Sequence, residues 1–110
     1  MTITDRNKAL IQHLQHRDKP GDRELDHEIA VSITYKGPGF SLPAFSTDYN
    51  VALKQLKEME IDWIMADVNG HMGGTPYAAA GVTDDKASYS FDPLLSLWLS
   101  VLRLLHGDER

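Results

Sequence analysis

Apolar positions are densest near the C-terminal end of the chain. Between Asp92 and His106 every position except Pro93, Ser96, Ser100 and Arg103 is Leu, Val or Trp. Asp92 is suited to cap the first N–H groups of a helix, and Pro93 to its first position, where no donor is needed. Gly107 suits the left-handed closing residue, and Arg103 and His106 fall in the last turn, where the helix dipole favours cations. Ser96, Ser100 and Arg103 stand at i, i+4 and i+7, a strip spanning roughly 60° of the helix surface. Well over half of the circumference is apolar, so the pattern predicts a helix that is central to the core or shared with another chain. Leu97, Trp98, Val101, Leu102 and Leu105 suffice to cover one sheet face, which leaves Leu94, Leu95, Leu99 and Leu104 needing other cover. These four and Trp98 form the candidate protein interface, and a C2 homodimer is the simplest way to pair such a surface.

Upstream the pattern is thinner. Thr4 is placed to cap a helix to about Arg17, whose stripe is only Ala9, Leu10, Ile11 and Leu14; it packs loosely on the domain or extends from it. The turn Asp18-Lys19-Pro20-Gly21 ends it, so residues 1–21 are expected as an N-terminal helix and linker, and residues 22–110 as one domain. From 22 to 35 two readings compete. Leu25, Ile29 and Ile33 recur at helical spacing, while Ile29, Val31, Ile33 and Tyr35 alternate as in a strand. The helix, from Asp22 to about Ile33, is favoured. Two glycines and two prolines make residues 36–43 a connection, and a further helix starts at Ser46 or Thr47 with Asp48 in its first turn. Tyr49, Ala52, Leu53, Leu56 and Met59 share one face of that helix. Strands are expected over 61–68, 77–82 and 87–91. The fold class is therefore α+β: a short antiparallel three-stranded sheet covered by helices on both sides, α-β-α sandwich-like, with an extra N-terminal helix.

Composition narrows the setting. The 110 residues, 42% hydrophobic and 25% charged, suit one globular domain. The absence of cysteine excludes disulfides and thiolate metal sites, and the N-terminus carries no apolar signal core. The last helix is too short for a bilayer, which takes about 20 residues. A cytoplasmic protein without membrane contact is expected. Net charge is −5, yet residues 1–36 carry six basic and six acidic side chains, so the excess acid lies after Lys36. No basic face favours nucleic acid, whereas an acidic surface suits a basic protein partner.

Candidate chemistry is sparse. Gly70, His71, Gly73 and Gly74 could cradle a phosphate as a ligand loop, but the spacing, lysine and following helix of a P-loop are missing. The reading as a plain hairpin loop is simpler. His13 and His16 are i, i+3 neighbours with no identifiable third metal ligand. Glu58, Glu60 and Asp62, then Asp84 and Asp85, form a candidate acidic contact surface rather than a paired acid and base. No nucleophile elbow or Ser-x-x-Lys pair occurs. Trp63, Tyr77, Tyr89 and Trp98 are read as core residues; any found exposed beside the last helix would mark a protein-binding hot spot.

Three pieces resemble a known family. Leu25-Asp26-His27-Glu28-Ile29-Ala30 is followed by Pro43-Ala44-Phe45-Ser46-Thr47-Asp48-Tyr49-Asn50-Val51-Ala52-Leu53, and the apolar helix Leu94 to Leu105 closes the set. This order resembles the phage ABA-sandwich domain family of small phage and prophage proteins, over roughly residues 22–106. The resemblance implies helices on both sides of a sheet and a phage or prophage origin, and it implies no reaction. The resulting expectation is a non-enzymatic accessory protein without cofactor or metal, binding a host or phage protein and inhibiting a host defence system. The alternative is a small-molecule or nucleotide binder using the glycine loop.

Overall fold

Four helices, α1 (Ile3–Gln15), α2 (Arg23–Ser32), α3 (Tyr49–Glu58) and α4 (Pro93–His106), and three short strands, β1 (Trp63–Asp67), β2 (Pro76–Ala80) and β3 (Ser88–Tyr89), carry the chain. They come from a computed structural model that describes residues 3–35, 37, 42–67, 76–80 and 88–106. Residues 22–35 resolve to the helix, and three helices begin on an aspartate. The Asp22 carboxylate accepts the Leu25 N–H at 2.8 Å, Asp48 those of Asn50 and Val51 at 2.9 and 3.4 Å, and Asp92 that of Leu95 at 2.8 Å. The third helix starts later than its Ser-Thr pair predicts, because the Ser46 hydroxyl is engaged elsewhere. It donates to the buried Asp26 Oδ1 at 2.6 Å and lies 3.0 Å from the Asp22 carbonyl. Asp48 is the nearest remaining cap.

The two middle helices stop in the same way. After α2, Thr34 takes φ 54°, its N–H reaches the Val31 carbonyl, and Tyr35 N–H reaches Ala30. After α3, Glu60 takes φ 57°, with its N–H to Lys57 and Ile61 N–H to Leu56. Both are Schellman closures in which a residue with a Cβ occupies the left-handed position that glycine usually fills.

The strands pair antiparallel in the order β1-β2-β3. Trp63 lies opposite Ala80 and Asp67 opposite Pro76, while β3 adds only Tyr89 opposite Tyr77 and Ser88 opposite Ala78. The expected α-β-α sandwich does not form. The molecule is chiefly helical, with helices of 13, 10, 10 and 14 residues against strand segments of 5, 5 and 2. All three strands pack on α4, whereas α1 packs on α4 and α2 on α1. The helices thus build outward from α4 instead of covering the far side of the strands.

The cause lies in the polar strip of α4. Ser96, expected to face water, donates back to the Asp92 carbonyl at 2.8 Å and accepts the Ser90 N–H at 2.8 Å. Arg103 Nη1 donates to Ser88 Oγ at 2.9 Å, and Ser100 is buried. With the Ser96 hydroxyl and Arg103 Nη1 bonded inside, α4 can be wrapped by the rest of the chain, and each residue from Leu94 to Leu102 is buried. Full burial of each large apolar side chain among them contributes about 1.5–3 kcal/mol.

α1 supplies much of that wrapping. Its Leu10, Ile11 and Leu14 are buried in the same core as Leu25, Ile29, Phe45, Leu56 and Trp98. Ser90 stitches the two helices, its hydroxyl donating to the Leu14 carbonyl at 2.5 Å. Of the two placements open to the first helix, it takes the one packed on the domain, with its leucines in the core. At the centre, Trp98 Nε1 donates to the Phe45 carbonyl at 2.6 Å, and the Phe45 ring meets Trp98 and Tyr35 edge-on at centroid distances of 5.5 and 5.4 Å.

Candidate functional site

The burial that centres the fold on α4 displaces the expected interface. Leu94, Leu95, Trp98 and Leu99 are enclosed by the chain's own core and offer no surface to a partner; only Leu104, 51% accessible, stays outside, with Leu105 beside it. The apolar excess in the sequence is consumed internally by β1, β2, β3 and α1.

Aromatic side chains take over the outer surface at the head of α4. Ser90 is drawn inward by its bonds to Leu14 and Ser96, so the residues on either side of it turn outward. Tyr89 is 50% accessible and Phe91 42%. Tyr49, 43% accessible at the start of α3, belongs to the same region, since its hydroxyl interacts with Asp92 and the Leu94 backbone. Burial, and after it the Asp92 carboxylate, pushes that hydroxyl above its ordinary value, against the opposing effect of the Leu94 hydrogen bond. Of the four aromatics expected in the core, Trp98 is there, Tyr89 and Trp63 are exposed, and the Tyr77 side chain lies outside the described residues. Tyr49 and Phe91 were not singled out by the sequence as exposed; the serine between two aromatics at 89–91 was the available signal.

A second surface follows α3. Glu58, Glu60 and Asp62 are exposed, and Trp63, 37% accessible, adjoins them. The left-handed Glu60 turns the chain here from α3 towards β1. Asp84 and Asp85, and the loop residues Gly70, His71, Gly73 and Gly74, lie outside the described residues.

A cleft of about 780 Å³ runs between α1 and α2. Its floor is Ala9, Leu10 and Leu25; α1 and the following turn line it with Arg6, His13, Arg17 and Lys19, and the facing side with Asp22, Glu24 and Glu28. An ion pair bridges it towards each end, Arg6 to Glu28 at 3.1 Å and Arg17 to Asp22 at 3.2 Å. The Leu25 N–H first, then Arg17 and Lys19, hold the Asp22 carboxyl below its ordinary value, against the upward effect of burial. His13, considered for a metal with His16, instead has Nε2 at 2.6 Å from Arg17 Nη1. Among the described residues no three potential His, Cys, Asp or Glu ligands converge.

Two polar networks complete the inventory. The Asp26 carboxylate is buried and accepts Ser46 N–H at 2.7 Å, the Ser46 hydroxyl, and Arg23 Nη1 at 2.9 Å. It joins α2 to the segment before α3. The second network is a triangle of Asn7, Ser32 and His106: Ser32 donates to Asn7 Oδ1 at 2.9 Å, Asn7 Nδ2 lies 3.2 Å from His106 Nδ1, and His106 Nε2 lies 3.0 Å from Ser32 Oγ. In this arrangement the serine proton rests on Asn7, and the C-terminal ends of α2 and α4, whose dipoles disfavour an oxyanion, meet here. The triangle clasps α1, α2 and α4 together.

The fold and these surfaces define the class: a chiefly helical domain organised around one enclosed helix, with an aromatic surface and a charged cleft. No protein-family model, no curated protein and no solved structure matches the chain.

Proposed function

We propose that this protein is a binding module that recognises another protein through Tyr49, Tyr89 and Phe91. The observation that carries the reading is the exposure of three aromatic side chains at the head of α4, a helix buried from Leu94 to Leu102. Aromatic residues are enriched among the few positions that dominate protein–protein affinity. Glu58, Glu60 and Asp62 beside Trp63 supply negative charge, so the partner presents cationic and apolar groups. A homodimer built on α4 has lost its main argument with the burial of Leu94, Leu95, Trp98 and Leu99, and the partner we propose is a different protein.

The motif likeness of Leu25 to Ala30 and Pro43 to Leu53 supports placing the protein among phage or prophage accessory proteins, acting in the bacterial cytoplasm on a host or phage target such as a defence component. Among the described residues no helix is long and apolar enough to cross a membrane. The test is a capture experiment from bacterial lysate with the wild type and a Tyr89→Ser/Phe91→Ser variant as baits, both checked for folding by circular dichroism. A protein retained by the wild type and lost by the variant is the expected result. Equal retention by both, or none by either, overturns the proposal.

A further inference from the structure

We infer that the cleft between α1 and α2 binds a small zwitterion with an apolar body, the chemistry of an apolar α-amino acid or its short peptides. This goes beyond the aromatic surface and places a ligand elsewhere than the glycine loop. At about 780 Å³ the space lies within the range of small-molecule sites. Leu10 and Leu25, 5% and 2% accessible, close the floor from beneath and are held by the core, and Ala9 is its exposed apolar side chain. The Arg6–Glu28 and Arg17–Asp22 pairs tie the two walls and set their separation before any ligand arrives.

Those pairs also decide which charges remain for a ligand. Among the described residues, Lys19 and Glu24 line the cleft without an ion-pair partner within 4.0 Å. One is a cation and the other a carboxylate. A simple anion drawn to Lys19 would be repelled by Glu24, and a simple cation would meet the reverse; a ligand carrying both charges satisfies both. Lys19 in the turn and Glu24 in the first turn of α2 belong to the Arg17–Asp22 end, which takes the ammonium and carboxylate. The apolar body then lies over Ala9 towards the Arg6–Glu28 end. From Arg6 to His13 the helix rises roughly 10 Å, room for a large side chain or a second residue.

The experiment is calorimetry and thermal denaturation of the full chain with leucine, phenylalanine and leucyl-leucine as probes. N-acetyl-leucine removes the ammonium, leucinamide removes the carboxylate, and glycine removes the apolar body. The expected result is a rise in Tm of several degrees with at least one apolar zwitterion at millimolar concentration, and none with the three controls. Lys19 and Glu24 are exposed, so Lys19→Gln and Glu24→Gln should fold as the wild type does and weaken binding by about tenfold each. No binding by any apolar zwitterion, equal binding of the blocked forms, or unchanged affinity in both variants overturns the inference. A Tyr89→Ser/Phe91→Ser protein should bind the zwitterion unchanged, which separates this site from the aromatic surface.

Discussion

Asp26 is a buried carboxylate whose position depends on what surrounds it. It accepts two bonds from Ser46 and one from Arg23, whose own side chain is mostly in water. Replacement by alanine leaves the Ser46 N–H and hydroxyl without their acceptor inside the protein, and Asp26→Ala should lower stability by about 3 kcal/mol in urea denaturation at neutral pH. Gly21 is bound to the same node: a Cβ there would stand 2.2 Å from the Ser46 carbonyl oxygen, a backbone atom that cannot withdraw without loosening Ser46 from Asp26. Thr34 points the other way. It holds a left-handed conformation with a β-branched side chain, and Thr34→Gly should raise stability by about 0.5–1 kcal/mol, after allowing for the greater freedom of glycine in the unfolded chain. A lower urea midpoint for the glycine variant would show that the threonine side chain does more than tolerate its backbone.

At the scale of elements, helix starts were more legible than helix surroundings. Asp92 caps where the sequence places it, and the second helix starts at Asp22 as its range predicts, because the signal is local: a short polar side chain immediately before an apolar period. Asp48 displaced Ser46 because a contact twenty residues away, to Asp26, removed the hydroxyl from competition. The same kind of distant bond misled the reading of α4. Ser96 and Arg103 looked like a solvent strip, and only the return of Ser88 and Ser90 along the helix shows how the Ser96 hydroxyl and Arg103 Nη1 are bonded inside the protein. The candidate interface failed for that reason, and the cleft between α1 and α2 escaped notice because its oppositely charged walls become neighbours only after the turn at 18–21. The Asp22 cap has a testable pH signature. Its pKa is lowered in the folded state, so its contribution is fully present above the unfolded value, about pH 4, and disappears as pH falls through the folded value. Asp22→Ala should cost about 1 kcal/mol at neutral pH, and the gap from wild type should close in acid. A gap independent of pH between 7 and 2 would remove the carboxylate from the explanation.

For the whole molecule, the two tryptophans report on inside and outside separately. Trp98 is fully buried and hydrogen-bonded, while Trp63 is 37% accessible among Glu58, Glu60 and Asp62. Acrylamide should quench Trp63, and Trp63→Phe should leave a blue-shifted emission with little quenching. A red-shifted emission from that variant would contradict the enclosed position of Trp98. Iodide should quench Trp63 less well than acrylamide does, since the anion is repelled by the neighbouring carboxylates, and added salt should narrow the difference.

The enclosure of α4 also bears on how the chain is made. Translation delivers α1, α2, α3 and the strands before the helix they pack around, and the clasp from Asn7 to His106 joins positions 99 residues apart. At ribosomal speeds of roughly 5–20 residues per second, the leucines of α1 and α2 wait on the order of seconds for their central support. A nascent chain stalled before Pro93 should therefore be digested readily by protease, whereas one stalled after His106 has emerged from the exit tunnel should resist. Until α4 emerges, the earlier elements lack the piece that makes them a structure.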